Sequence, residues 1–193
     1  MAPGQLAADA PAWAFRVLEQ GQPVVVRRAV SAPGSIAVGL RGQSREQRYP
    51  AFLALDSVQR GVHPEDLRHV PSSRAWPALQ ALDQLRGELD ALGLAWGVGG
   101  SAGYELASGR GVLHQNSDLD LILRAPQPLP RTLARELLAL CDRAPCRVDL
   151  QLQVPAGGLA LREWAGPASR VLLKSATGAR LVSDPWGVLE RAA

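Results

Sequence analysis

Apolar positions along the chain recur with two periods, and the switches between them outline the elements. Between 76 and 92, Leu79, Leu82, Leu85, Leu89 and Leu92 recur at three- and four-residue steps, which predicts a helix with one buried stripe, ended by Gly93. Residues 131–140 repeat that pattern with Leu133, Leu137 and Leu140 on one side, after the breaks at Pro128 and Pro130. Residues 146–154 alternate strictly: Val148, Leu150, Leu152 and Val154 point one way, Arg147, Asp149, Gln151 and Gln153 the other, as in a half-buried strand. The same two-residue period in 117–123 puts Asp118 and Asp120 on one face and Leu119 and Leu121 on the opposite one.

Weaker signals fill in the rest. A short helix is expected over 13–18, strands over 23–30 and 35–40, and another strand around 52–58. Pro64-Glu65-Asp66-Leu67 reads as a first helical turn, with proline at its opening position and acids where the helix dipole favours them. A strand over 94–98, a turn at Gly99-Gly100-Ser101 and a helix over 102–107 come next, then a loop over 109–117 long enough to fold over a ligand. Towards the end, Gly157-Gly158 is expected to turn the chain and 159–164 is ambiguous. A hairpin over 171–174 and 179–182 turns at Thr177-Gly178, and Asp184-Pro185-Trp186 closes the fold. Pro71-Ser72-Ser73 is the best linker, which divides the chain into a small β-containing domain, 1–72, and a larger one, 73–193.

Composition narrows the class. With 193 residues, 47% hydrophobic and 20% charged, the chain can bury a real core, and disorder is not indicated. A net charge of +3 and a pI near 9.4 suit anionic substrates or an acidic partner but are too weak to argue for nucleic acid. Lys174 is the single lysine among many arginines. Cys141 and Cys146 match no zinc spacing and no disulfide framework. No apolar run reaches membrane-spanning length and the start lacks a signal-peptide pattern, so a cytoplasmic protein is expected.

Two like charges on one strand face repel unless a proton or a cation intervenes, and paired carboxylates are the donors that hold Mg²⁺ together with substrate phosphates. Gly99 and Gly100 let the backbone approach a ligand, and Ser101 opens a segment whose free N–H groups can face an anion. Asp149 joins Asp118 and Asp120 if the two strands are neighbours. Taken singly, Gly-Gly-Ser is a common turn, Asp-Leu-Asp a charged strand and Asp149 or His114 a solvated side chain. In this order, next to apolar strands, they point to phosphoryl or nucleotidyl transfer.

Gly100-Ser101, Asp118-Leu119-Asp120 and Asp149 together resemble the pattern of DNA polymerase β-type nucleotidyltransferases over about 94–154. Over nearly the whole chain, the sequence resembles the phosphoribosyl-dephospho-CoA transferases, the holo-acyl-carrier-protein synthases of malonate decarboxylase. The features that carry this are Pro23-Val24-Val25-Val26-Arg27-Arg28, Val38-Gly39-Leu40, Gln47-Arg48, Gly100-Ser101 to Gly109 and Ser117-Asp118-Leu119-Asp120-Leu121. Tyr104-Glu105 stands where that family usually has Trp-Gln. The resemblance implies an α+β fold, a nucleotidyltransferase-type mixed sheet flanked by helices with a small β-containing N-terminal domain. It also implies transfer of the prosthetic group from 2'-(5''-triphosphoribosyl)-3'-dephospho-CoA to a serine of the apo acyl carrier subunit, with loss of pyrophosphate.

On that resemblance Asp118, Asp120 and Asp149 are catalytic and hold Mg²⁺, while Gly100 and Ser101 hold phosphates. Arg27, Arg28, Arg48 and Lys174 are further candidates for phosphate or carrier contacts, since arginine suits bidentate phosphate recognition. Two other readings stand beside this one. The acids would equally serve a nucleotidyltransferase that uses an ordinary nucleoside triphosphate on a small molecule, RNA or protein, or the chain could be a binding module with a dead site.

Overall fold

In the computed structural model, which describes residues 1–44 and 46–187, the chain divides into two compact units, Met1–Gly61 and Val62–Ala193. The division lies ahead of the Pro71-Ser72-Ser73 stretch, for a physical reason. The short 3-10 turn Pro64–Leu67 lies against the strand at Gly97, where a Cβ would overlap the Pro64 backbone, so this segment packs with the second unit.

Among the described residues, the first unit has the α-helix α1 (Ala12–Glu19) and an antiparallel sheet in the order β1-β2-β3. Its strands are β1 (Val25–Val26), β2 (Ser35–Arg41) and β3 (Arg48–Ala54). Ala14, Val17 and Leu18 of α1 bury themselves with Leu40 of β2. The expected strand over 23–30 contracts to its two central valines, which pair with Gly39 and Val38. The strand expected around 52–58 begins earlier, at Arg48, because Arg41 pairs with Arg48 and the loop between them closes on itself. In that loop the Gly42 N–H donates to the Gln47 carbonyl at 2.9 Å and the Gln43 N–H to the Gln47 side chain at 2.8 Å. Pairing stops at Ala54, and Leu55–Ser57 coils into a 3-10 turn.

The second unit carries α2 (Pro77–Ala91), β4 (Trp96–Val98), α3 (Gly100–Ser108) and β5 (Leu119–Arg124). There follow α4 (Arg131–Cys141), β6 (Val148–Val154), β7 (Gly157–Ala160), α5 (Leu161–Ala165), β8 (Val171–Ser175) and β9 (Gly178–Val182). Its six strands form one mixed sheet in the order β4-β5-β6-β7-β8-β9. β5 and β6 are parallel and α4 lies between them in the chain, the crossover that parallel neighbours require, while the other pairs are antiparallel. The architecture is α+β.

One face of this sheet is apolar. Leu119, Leu121 and Leu123 of β5 and Val148, Leu150, Leu152 and Val154 of β6 join the leucine stripe of α2, Leu79, Leu82, Leu85 and Leu89, and Ala134 and Leu137 of α4 in a single core. Each fully buried leucine there contributes about 1.5–3 kcal/mol of transfer free energy. On the other face of β5 and β6, Asp120, Ile122, Arg124, Gln151 and Gln153 are half-buried and Asp149 is exposed. Period-two alternation thus settles which side is packed and which is open for chemistry.

Gly157-Gly158 is not a turn. Pro155 and Ala156 make the turn and both glycines lie in β7, where a Cβ on Gly157, at φ 155°, would overlap the Lys174 carbonyl of β8. The ambiguous stretch after it is the end of β7 followed by α5. The hairpin of β8 and β9 turns one residue earlier than expected, at Ala176 and Thr177, with Ser175 opposite Gly178. Trp186 meets Trp164 edge-on with ring centroids 5.0 Å apart, and its indole N–H donates to the Ala125 carbonyl at 2.8 Å, so the Asp184-Pro185-Trp186 segment does close this unit. Among the described residues, no helix is long and apolar enough to cross a membrane.

Candidate metal and phosphate site

Two aspartates in neighbouring strands and a third just before the first of them meet at one end of the sheet. In the parallel pairing of β5 with β6, Asp120 stands directly opposite Asp149, and the Leu119 N–H donates to the Arg147 carbonyl at 2.9 Å to lock that register. Asp118 immediately precedes β5 rather than lying within it, and its side chain still turns to the same place. One carboxylate oxygen from each of Asp118, Asp120 and Asp149 lies within 4.8 Å of the other two. Asp118 and Asp120 are half-buried and Asp149 is exposed. A donor set made entirely of carboxylates, partly open to solvent, fits a hard divalent cation that keeps waters and shares phosphate oxygens.

The glycine turn grips this cluster from the side. The Gly99 N–H donates to the Asp120 carbonyl at 2.9 Å, joining the turn to β5 at the acid itself. Gly100 has φ 56°, a left-handed conformation that side chains disfavour, and a Cβ there would overlap the Asp120 carboxyl group. Gly100 is therefore needed twice, for its backbone angle and for the room it leaves. Gly100 also begins α3, so Ser101 and the first helical turn lie beside Asp120.

The loop that delivers Asp118 is built, not slack. Glu105 of α3 is buried, with 6% of its side chain exposed, and accepts hydrogen bonds from the Val112 and Leu113 N–H groups at 2.7 and 2.8 Å. Arg74 pairs with its other oxygen at 3.0 Å and fills the space that a Cβ on Gly111 would need. Further on, the buried Ser117 hydroxyl accepts from the His114 N–H at 3.1 Å and the Ser117 N–H donates to the His114 carbonyl at 3.0 Å. His114 accepts from the Asn116 N–H through Nδ1 at 3.2 Å, so His114 and Asn116 shape the turn before the strand. The sequence reading passed over Glu105 as a brace. The available signal was one carboxylate in a run of small and apolar helix residues.

The same open face is tied down near the other end of β5. Arg124 donates to Glu65 at 2.6 Å, which anchors the Pro64–Leu67 turn. Burial pushes the Glu65 carboxyl up, but the hydrogen bond and charge of Arg124 outweigh it and hold Glu65 below its ordinary value. Cys141 is a buried core thiol pushed up to about 11 by desolvation, and burial likewise raises Cys146. Neither thiol has the depressed pKa of a nucleophile.

Of the basic candidates, Lys174 belongs to the second unit and Arg27, Arg28 and Arg48 to the first. Lys174 lies in β8 opposite Gly158, which in turn pairs with Gln153 at the far end of β6. Strand spacing and rise put its backbone roughly 16 Å from that of Asp149. Arg27 and Arg28, just after β1, and Arg48, at the start of β3, are exposed residues of the first unit. Arg48 donates to the carbonyls of Ser44 and Gln47, and the Arg27 stem packs against Gly39. A cation that the sequence reading did not single out does stand at the acids: Arg147 contacts both carboxylate oxygens of Asp149 at 3.2 Å.

Comparison with known proteins accounts for both units. Residues 1–64 match the model of the phosphoribosyl-dephospho-CoA transferase MdcG N-terminal domain, and residues 66–185 match that of its C-terminal domain. No solved structure matches the chain. A phosphoribosyl-dephospho-CoA transferase of Pseudomonas fluorescens is 72% identical across 100% of this chain and 93% of its own length. A protein of the same name from Azotobacter vinelandii is 54% identical over 96% of this chain and 90% of its own. One from Pseudomonas aeruginosa is 52% identical over 98% and 91%. With family models over both units and relatives of this identity matched over at least 90% of their own length, the chain belongs to the phosphoribosyl-dephospho-CoA transferase family.

Proposed function

We propose that this transferase attaches the phosphoribosyl-dephospho-CoA group of 2'-(5''-triphosphoribosyl)-3'-dephospho-CoA to a serine of the apo acyl carrier subunit of malonate decarboxylase, releasing pyrophosphate. The observation that carries the proposal is the pairing of Asp120 with Asp149, which brings three carboxylates together beside the Gly99-Gly100 turn. Asp118, Asp120 and Asp149 hold Mg²⁺, which when bound neutralises charge on the triphosphate and acidifies the attacking hydroxyl. On the same reading the catalytic unit is of the DNA polymerase β type and works in the cytoplasm.

The chain's own groups divide the remaining work. The serine oxygen forms a bond to the α-phosphorus as the bridging α–β P–O bond breaks, and the bridging electron pair leaves with pyrophosphate. Asp149, the most exposed of the three acids, takes the serine proton and passes it to water. Ser101 and the first N–H groups of α3 receive the departing charge, as a helix N-terminus favours an anion. The basic candidates Arg27, Arg28, Arg48 and Lys174 are left for the dephospho-CoA end of the donor and for an acidic carrier surface.

The test is to incubate the protein with Mg²⁺, the triphosphoribosyl donor and apo carrier, and to weigh the carrier by mass spectrometry. A gain equal to the phosphoribosyl-dephospho-CoA group is expected. Asp118→Asn and Asp120→Asn should each cut its rate by more than about a hundredfold with an unchanged circular dichroism spectrum. Pyrophosphate released from ATP, CTP or GTP without carrier, and no mass gain with it, would favour an ordinary nucleotidyltransferase instead.

A further inference from the structure

Arg147 is attached to the site in a way that the three acids do not require. It precedes β6, its carbonyl fixes the β5–β6 register through Leu119, and its side chain runs along the polar face to Asp149. There one guanidinium nitrogen meets both carboxylate oxygens at 3.2 Å. The guanidinium side chain is 74% exposed and Asp149 49% exposed, so nothing buries the pair and water can replace either partner. Arg162, whose charge also reaches Asp149, pairs with Asp142. Asp142 is held below its ordinary value by that hydrogen bond.

An exposed guanidinium on a carboxylate that can ligate a metal is in competition with the metal. A carboxylate oxygen given to a cation cannot also hold an arginine at full strength, and an arginine so released stays within a side chain's length of whatever the cation binds. We propose that Arg147 is a placeholder on Asp149: it neutralises the acid while the site is without metal, gives it up to the incoming cation, and then binds the terminal phosphates of the polyphosphate donor. This rests on the reading of the three acids as a metal site. The guanidinium offsets part of the negative charge of the acids before the metal arrives, by pairing with Asp149. Afterwards it offsets phosphate oxygens, where its planar fork is a better match than a lysine ammonium.

Two properties should therefore change in opposite directions when Arg147 is replaced. The full-length chain and its Arg147→Gln and Arg147→Lys variants are titrated with Mn²⁺, read by electron paramagnetic resonance of the free ion, and then with pyrophosphate in the presence of Mn²⁺. In Arg147→Gln, Mn²⁺ should bind about two- to fivefold more tightly, the worth of an exposed ion pair removed. Pyrophosphate should bind about tenfold more weakly, the loss of a charge-assisted hydrogen bond. Arg147→Lys should recover part of the pyrophosphate affinity. Unchanged Mn²⁺ affinity in Arg147→Gln, or unchanged pyrophosphate affinity, overturns the placeholder. A parent protein that binds no Mn²⁺ at all overturns the metal reading itself, and the placeholder with it.

Discussion

At the level of single residues, the site depends on what is missing as much as on what is present. Gly100 has no side chain because Asp120 occupies that space and because its backbone angle is left-handed. Gly100→Ala should cost about 1–2 kcal/mol in denaturant unfolding from the backbone angle alone. Transfer should fall further than that stability loss explains, because the methyl displaces the Asp120 carboxylate. Glu65 gives a pH-dependent prediction. Its folded pKa lies below the ordinary 4.5, so its pairing with Arg124 stabilises the fold fully above that value and ceases to do so as pH falls through the lowered one. Thermal melts of Arg124→Gln should lie below those of the parent at pH 7 and converge with them in acid.

At the level of elements, α3 does two tasks with its two ends. Its start brings Ser101 near Asp120, and Glu105 further along restrains the loop that leads to Asp118. Glu105→Ala strands two backbone donors and Arg74, and should destabilise by about 2–4 kcal/mol. Hydrogen exchange at Val112 and Leu113 should rise while that of β9 does not. This element also shows where sequence reasoning stopped. The alternation in β6 announced Asp149 on a polar face, and the β5 pattern announced Asp120. Neither pattern states which strand lies next to which or in what register, because pairing is decided by the core on the opposite face. β7 was hidden for a different reason: Gly157 and Gly158 carry the composition of a turn, yet serve a strand that a neighbouring carbonyl approaches too closely for any side chain. Glu105 was hidden because a carboxylate in a helix is ordinarily solvated, and its partners lie in another segment.

At the level of the molecule, the mixed sheet of an α+β fold was foreshadowed, and the three aspartates all belong to the second unit. If Asp118, Asp120 and Asp149 take up a divalent cation, that cation must stabilise the folded chain, since the unfolded chain does not hold the three together. At a free Mg²⁺ concentration of about 100 times its dissociation constant the gain is about 2.7 kcal/mol. Differential scanning calorimetry should show the melting temperature of the second unit rising with Mg²⁺. The rise should vanish with EDTA and be much reduced in Asp120→Asn.

The parallel junction of β5 with β6 has one more consequence, for the order of events as the chain folds. Parallel neighbours cannot be made by a local hairpin, so the crossover through α4 has to close before the two strands align, and the carboxylates of Asp120 and Asp149 are strangers until then. A metal-sensitive dye in a rapid-mixing refolding experiment would therefore remain silent through early collapse and respond only as this crossover closes. If the three acids take up a cation, its capture becomes a clock for the closing of this crossover.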